Sequence, residues 1–421
     1  MTNSFSSHPP TVLYIDINSC FATIEQQANP RLRGKPVVVA AYASGNGCIL
    51  AASYEAKRKG VTTGMRIRDA LRICPDLETK TPDPEKYRFI NEQLTELLLT
   101  YTPHVQVQSI DEMIVRMDNT PYLSGVSEVE IILAMFALGR EIKKRITEEI
   151  GDYITVSIGI APNAFLAKTA SNLEKPNGLQ AITKENIHAV LTKLKLTDMC
   201  GIKQGNSTRL LIAGITTPLA MYETTSEQLE RAFRSINGRY WWMWLHGHEI
   251  GSVYAEHANT QKSYGQSCAL TRHVEPTNIY AKQVLYQLVA KMGTRLRKDA
   301  CRAQGIMAGC TYIDKTYWQK HTKVQHPVYA TEDLFPYIFR LLQQAPEKPI
   351  HTVFVGVYDV VSDVYTQLTL DDNEIQKQAR TVAIDYITNR FGSNSITTAL
   401  ALKADQKILD RIAFGKGGLH H

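Results

Sequence analysis

Gln108-Ser109-Ile110-Asp111-Glu112-Met113 sets two neighbouring carboxylates behind an alternating apolar pattern, Val105 and Val107. The alternation reads as a strand, so the acidic pair falls at a strand end or hairpin turn and not on a solvated helix face. Neighbouring residues of a regular strand point to opposite faces, so both can serve one site only where the strand bends. A third carboxylate stands far upstream. In Val12-Leu13-Tyr14-Ile15-Asp16-Ile17 an apolar strand carries Asp16, a residue normally depleted from strands. A buried Asp needs a charge partner or a metal. Oxygen ligands from two strands suit a hard divalent cation such as magnesium, which keeps positions open for water and substrate phosphates.

Composition sets the outer limits. At 421 residues the chain is too long for one core, and a multidomain protein is expected. Hydrophobic content of 44% with 21% charged residues reads as ordinary globular protein, and no apolar run approaches the length of a membrane span. The first ten residues are polar and Ser/Pro-rich, a frayed tail and not a signal peptide, so a cytoplasmic location is expected. The seven cysteines are odd in number, scattered and never spaced Cys-x-x-Cys, which argues against a disulfide framework or a zinc site. A net charge of +6 permits a polyanionic partner without demanding one.

Outward from the two acidic strands, Phe21 to Gln27 reads as a short helix ended by Asn29-Pro30, and Gly34 to Ala40 as turn and strand. Cys48 to Ala52 is a further strand. Ser53-Tyr54-Glu55-Ala56-Lys57-Arg58-Lys59-Gly60 reads as a short helix closed by glycine. Its tyrosine and basic trio are either a solvated face or a grip for a triphosphate, whose charge Lys and Arg neutralise. Amphipathic helices follow over Pro84 to Tyr101 and about Val129 to Ile150, then a strand over Tyr153 to Ala161. The order is a split βαβ arrangement with carboxylates on its central strands. Asn163 to Lys175 reads as a helix stopped by Pro176-Asn177-Gly178; Lys168 and Lys175, seven apart, share a face and serve either as surface charge or as a polyphosphate hold.

Asp16-Ile17-Asn18 with Cys20-Phe21, Ser53-Tyr54-Glu55-Ala56-Lys57, Ser109-Ile110-Asp111-Glu112, and Phe165-Leu166-Ala167-Lys168 ending in Lys175-Pro176-Asn177-Gly178 resemble the ordered motif set of the Y-family translesion DNA polymerases, the DinB/UmuC superfamily. The resemblance runs from about Tyr14 to the C-terminal region and leans to the UmuC-like branch. It implies an α+β, multidomain right-hand polymerase with a ferredoxin-like palm, small fingers, a helical thumb and a βαββαβ little finger. The corresponding segments are palm over 1–19 and 83–180, fingers over 20–82, thumb over 181–248, linker over 249–262, little finger over 263–365 and a tail over 366–421. By position, Asp16, Asp111 and Glu112 would be catalytic and, with the Ile17 carbonyl, would hold two Mg2+ ions. Phe21 would be the steric gate against a ribose 2′-hydroxyl, and Tyr54, Lys57 and Lys175 would grip the incoming dNTP. Lys57 stands where many relatives carry Arg, so a point charge replaces a bidentate fork. Cys20 stands where a bulky aromatic is common. Ile49 and Leu50 would roof the nascent pair.

Farther along, Asp198 to Gly205 with Leu210 to Ile215 resembles a helix-hairpin-helix, whose amides receive a DNA phosphate, though Lys203 replaces its third small residue. Trp241, Trp242 and Trp244 read as a small-domain core in preference to a base-stacking platform. The resemblance places Lys203, Arg295, Arg297 and Lys298 as DNA-binding residues, beside Arg302, Lys315, Lys320 and Lys323. Gln367, Leu368 and Leu370 resemble the peptide that docks bacterial polymerases on the sliding clamp, with Asp371 in place of the usual aromatic. The tail from Asn373 to Leu400 reads as a helix plus a short strand. Expected partners are primer-template DNA, dNTPs, the sliding clamp, and an accessory UmuD-like subunit or recombinase filament, with no membrane. The expected function is error-prone, template-directed translesion synthesis in DNA repair. The rivals are a catalytically silent DNA- and clamp-binding scaffold of the same superfamily and another palm-type enzyme such as a nucleotide cyclase.

Overall fold

The strand carrying Asp16 is β1 (Val12–Ile17), the centre of a five-stranded sheet in a computed structural model that describes residues 4–250, 263–363, 372–392, 395–402 and 408. The described chain as far as residue 250 forms one compact unit, and residues 263–408 form a second. In the first unit β1 is followed by α1 (Cys20–Ala28), β2 (Val37–Ala40), β3 (Ile49–Ala52), α2 (Tyr54–Arg58), α3 (Ile67–Ile73) and β4 (Glu78–Lys80). Then come α4 (Pro84–Leu99), β5 (Val105–Val107), β6 (Glu112–Arg116), α5 (Glu128–Arg145), β7 (Val156–Ala161), α6 (Ala164–Leu173) and β8 (Leu179–Ala181).

The main sheet has the order β5-β6-β1-β7-β8, with β1 antiparallel to both β6 and β7. Alternation along β1 divides its side chains between two cores. Leu13 and Ile15 join Met113, Val115, Leu94, Leu98, Leu138 and Ile142 under α4 and α5. Val12 and Tyr14 join Ile114, Leu166 and Ala170 on the side of α6. Val12, Leu13 and Ile15 are fully buried, which contributes roughly 1.5–3 kcal/mol each. Asp16, two residues after Tyr14, takes the α6 side. The close seat of α6 depends on Gly159 of β7, where an added Cβ would lie 1.9 Å from the Ala167 carbonyl oxygen and 2.3 Å from the Ser171 nitrogen.

A small sheet, β3-β2-β4, has its own core of Val38, Ile49, Ala52, Val61, Ile67 and Ala70. Ile49 is fully buried there, and Leu50, half-buried, faces the opposite way and packs against the main core. The helices α7 (Ile187–Lys193), α8 (Gln204–Ile212), α9 (Pro218–Glu223), α10 (Ser226–Phe233) and α11 (Asn237–Leu245) complete this unit. Trp241 and Trp242 are buried in their core, and the Trp241 ring meets Phe165 at 5.4 Å and Trp244 at 5.4 Å between centroids. The tryptophan cluster is packing.

The second unit runs β9 (Ser263–Ala269), α12 (Ile279–Lys298), β10 (Cys301–Tyr312), β11 (Tyr317–Val328), α13 (Thr331–Leu342) and β12 (Ile350–Ser362), the expected βαββαβ order. Its sheet is ordered β11-β10-β12-β9 and antiparallel throughout. The β10–β11 hairpin is longer than its residues suggest. Asp314 Oδ1 accepts the Thr316 amide at 2.9 Å and Lys315 takes a φ of +67°, so the turn is tight and both strands extend to it. Beyond β12, α14 (Asp372–Phe391) is followed by α15 (Ala399–Leu402) and not by the expected short strand. Thr398 Oγ1 accepts the Ala401 amide at 3.4 Å, and the Ala-Leu-Ala-Leu run that follows favours a helix.

Gly159→Ala is expected to force α6 off β7 and to destabilise the first unit by roughly 1–3 kcal/mol. Urea unfolding checks this; an unchanged midpoint would show that α6 does not depend on that contact.

Candidate active site

Strand register pairs Asp16 with Glu112 and Tyr14 with Ile114, so both carboxylates stand side by side on the α6 face. Asp111 precedes β6 in a tight bend. The Gln108 and Ser109 amides both donate to the Glu112 carbonyl, at 2.9 and 3.2 Å, and the Ile17 amide donates to the Asp111 carbonyl at 2.9 Å. That bend is the geometry by which neighbouring residues 111 and 112 serve one place. Ser109 Oγ donates to Asp111 Oδ1 at 2.5 Å. Burial pushes the Asp111 carboxyl up to about 6, and the charges of Glu112 and Asp16 push the same way against the Ser109 bond. Asp16 is also raised, because burial outweighs its attraction to Lys175.

Two lysines neutralise the cluster, each on its own carboxylate. Lys168 Nζ donates to both Glu112 oxygens at 2.8 and 2.9 Å and to Tyr14 Oη at 3.0 Å. Lys175 Nζ donates to Asp16 Oδ2 at 2.7 Å. The seven-residue spacing does not bring them together along one helix face: α6 ends at Leu173, and Lys175 reaches the site from the loop beyond. Lys168 is therefore a carboxylate partner, a role that depends on the Gly159 contact and that residue type alone does not disclose. Among the described residues Lys175 has Asp16 as its hydrogen-bond acceptor, which leaves two of its three N–H groups for a further anion.

Lys57 Nζ donates to Ser19 Oγ at 2.8 Å and stands 4.5 Å above the Tyr54 ring. Ser53 caps α2 by accepting the Ala56 amide at 3.3 Å, which orients both side chains. Burial lowers the Lys57 ammonium and the Lys175 charge lowers it further, while Asp16 pulls the other way. Burial and then the Asp16 charge raise the Tyr54 hydroxyl. Tyr54, Lys57 and Lys175 thus surround Asp16. Ser19, Ser109 and Tyr14 complete the site without any role assigned by residue pattern, and Lys168, expected as surface charge or polyphosphate hold, pairs with Glu112 instead. Phe21 lies beside it in α1 but is fully enclosed, its ring stacked on Tyr87 at 4.4 Å. Cys20 is buried beneath, and burial followed by the Asp111 and Asp16 charges pushes its thiol well up.

Among the described residues no three Asp, Glu, His or Cys side chains form a ready cage for an ion. The donor chemistry nevertheless fits a hard divalent cation: Asp16 of β1 stands beside Glu112 with Asp111 next to it, and burial first, then the Glu112 and Asp16 charges, raise the proton affinity of Asp111.

Lys203 is exposed at the N-terminus of α8, next to Gly201 at φ +83°. In the second unit Lys298 is exposed, and the Arg295 guanidinium lies 5.7 Å from the Tyr264 ring centre. Arg297 does not present itself to a phosphate. Its guanidinium makes a bidentate pair with Asp385 of α14 at 2.6 and 2.8 Å and donates to the Tyr329 carbonyl at 3.1 Å. Arg302 pairs with Asp363, and Lys323 with Asp359 at 2.6 Å. Gln367, Leu368 and Leu370 lie outside the described residues.

Residues 15–172 match the impB/mucB/samB family, and residues 261–370 match the C-terminal domain of that family. DNA polymerase IV 2 of Bacillus subtilis is 29% identical over 410 residues, 96% of this chain and 97% of the relative. DNA polymerase IV 1 of Halalkalibacterium halodurans is 31% identical over 388 residues, 90% of this chain and 91% of the relative. Among solved structures, a Y-family DNA polymerase chimera of Dbh and Dpo4 segments superposes with a TM-score of 0.70 at 24% identity, covering 83% of this chain and 99% of that one.

The elevated Asp111 carboxyl makes stability depend on pH. The folded chain binds that proton more tightly than the unfolded chain, so stability falls as pH rises from about 4 to about 6 and then levels off. Asp111→Asn removes the charge and is expected to stabilise the protein by roughly 1–3 kcal/mol at about pH 7 without divalent ions. The gain should vanish below about pH 4; a gain of equal size at both ends of that range in chemical unfolding would refute the electrostatic origin.

Proposed function

Because the chain belongs to the Y family of DNA polymerases and is a DNA-directed DNA polymerase, we propose that it performs error-prone synthesis past damaged template bases by a two-metal transfer. The nucleotidyl group passes from a dNTP to a primer 3′-oxygen, and pyrophosphate leaves. The reading rests on one observation: Asp16, Asp111 and Glu112 meet at a single bend, with Tyr54, Lys57 and Lys175 around Asp16.

Divalent cations held by the three carboxylates, with the Ile17 carbonyl, would stabilise the charge on the attacking and leaving oxygens. The chain's own residues provide position. Ser109 keeps Asp111 turned to the site, Lys168 fixes Glu112, and the amide of Ile17 ties β1 to the bend. Lys175, with donors to spare, together with Lys57 and the Tyr54 hydroxyl, receives the triphosphate. In this family the cations are magnesium, two per site. Phe21, enclosed in α1, acts as the gate through the volume it fills behind the sugar, and the Tyr87 stack keeps the ring still. Lys203, Arg295 and Lys298 contact the DNA backbone without reading sequence. Residues 1–19 and 83–180 serve as palm, 20–82 as fingers, 181–248 as thumb and 263–365 as little finger. The clamp peptide and an accessory subunit extend the same reading to a bacterial cytoplasm and a damage response. All three carboxylates are present, with Asp16 of β1 in register beside Glu112, so nothing favours the silent scaffold.

Primer extension on undamaged and abasic templates with magnesium tests the assignment. The wild type is expected to extend both, and Asp111→Ala to lose roughly 1000-fold or more in rate while DNA affinity changes little. Retained extension by that variant would overturn the catalytic role. Phe21→Ala is expected to raise ribonucleotide relative to deoxyribonucleotide incorporation by roughly 10-fold or more; an unchanged ratio would remove the gate.

A further inference from the structure

Lys175 has to hold one place although it sits in a loop, and the loop is pinned from three directions. From β1, Asn18 Oδ1 accepts the Asn177 amide at 2.8 Å while its Nδ2 donates to Ser157 Oγ at 2.9 Å. From β7, Ser157 Oγ accepts the Gly178 amide at 3.3 Å and donates to the Glu174 carbonyl at 3.4 Å. From the last turn of α5, Lys143 Nζ donates to the Asn177 carbonyl and, at 3.2 Å, to the Gly178 carbonyl. The loop has little room of its own: Asn177 takes a φ of +60°, and a Cβ on Gly178 would lie 1.9 Å from the Glu174 carbonyl oxygen.

We infer that Lys143 is a positioning residue for nucleotide binding, fixing the Glu174–Gly178 loop so that Lys175 meets the triphosphate. The Lys143 ammonium is directed at two backbone carbonyls, and the charge it feels is that of Glu174, at the start of the same loop. Its charge stands at the carbonyl ends of the peptides that follow Lys175, beside the Ile158 amide that also donates to the Gly178 carbonyl at 3.0 Å. Asn18 and Ser157 fix the Asn177 and Gly178 amides and the Glu174 carbonyl, and Lys143 fixes the Asn177 carbonyl and shares the Gly178 carbonyl with the Ile158 amide. Without Lys143 the Asn177 carbonyl turns to water while the Gly178 carbonyl keeps the Ile158 amide at 3.0 Å, so the loop loses one of its three anchors and Lys175 samples several places. The inference depends on the reading of Lys175 as a triphosphate contact.

Single-nucleotide insertion kinetics on saturating primer-template separate the possibilities, using wild type, Lys143→Met, Lys143→Arg, Lys175→Ala and the Lys143→Met/Lys175→Ala double variant. Met keeps the apolar stem and Arg keeps the donors. Lys143→Met is expected to raise the KM for dNTP roughly 3- to 10-fold with kcat within about twofold, and Arg to recover most of the loss. In the Lys175→Ala background Lys143→Met should add nothing, because the group it positions is gone. Full additivity in the double variant overturns the inference, as does an unchanged KM in Lys143→Met when Lys175→Ala raises it. A parallel fall in DNA affinity, kcat and unfolding midpoint for Lys143→Met assigns it a merely structural role and also overturns the inference. If Lys175→Ala leaves the KM for dNTP unchanged, the triphosphate reading itself fails, and the positioning role with it.

Discussion

Three carboxylates at one bend repel one another, and the first unit is arranged around that repulsion. Two unit charges about 4 Å apart interact by about 4 kcal/mol at an effective dielectric of roughly 20, a large share of the 5–15 kcal/mol by which a domain is typically stable. Lys168 and Lys175 offset it, but each must be delivered to its carboxylate. Lys168 arrives because Gly159 lets α6 lie against β7. Lys175 arrives because the loop after α6 is anchored to β1, β7 and α5. The third carboxylate, Asp111, keeps part of the strain as an elevated proton affinity.

The two lysines are not equivalent. Lys168 has three acceptors and lies 5.0 Å from the centre of the Tyr14 ring, an arrangement that keeps it at its post when ligands come and go. Among the described residues Lys175 has a single carboxylate oxygen as acceptor and donors left over. A charge that holds the site together and a charge free to change partners are thus separated onto a helix and a loop.

Much of this was legible in the chain itself. Asp16 inside an apolar strand and Asp111-Glu112 after an alternating one announced the acidic site, because strand periodicity is a local property. The second unit's βαββαβ order was readable for the same reason. What escaped was non-local or lacked periodicity. Strands β4 and β8 have three residues each, too few to show a pattern. Strand β11 is an edge strand exposed along much of its length, so its residues carry little core alternation and its early start at Tyr317 does not show in the pattern. Arg297 read as a phosphate contact because its partner, Asp385, lies 88 positions later on another helix. The partition of Lys168 and Lys175 between two carboxylates follows from where α6 stops, which sequence spacing treats as continuous.

The attachment of α14 has a different character from every core described. It is tied to α12 by Arg297 and Asp385, and to α13 by Lys377 with Asp333 and Arg380 with Glu332, while Ile375, Val382 and Tyr386 point outward. Apolar cores are nearly indifferent to electrolyte, whereas such ion pairs weaken as the screening length shortens. Electrolyte therefore reaches the three ties unequally: the exposed Arg380–Glu332 pair is screened, while the mostly covered Arg297–Asp385 pair is screened much less and acts as the salt-resistant pin of the helix.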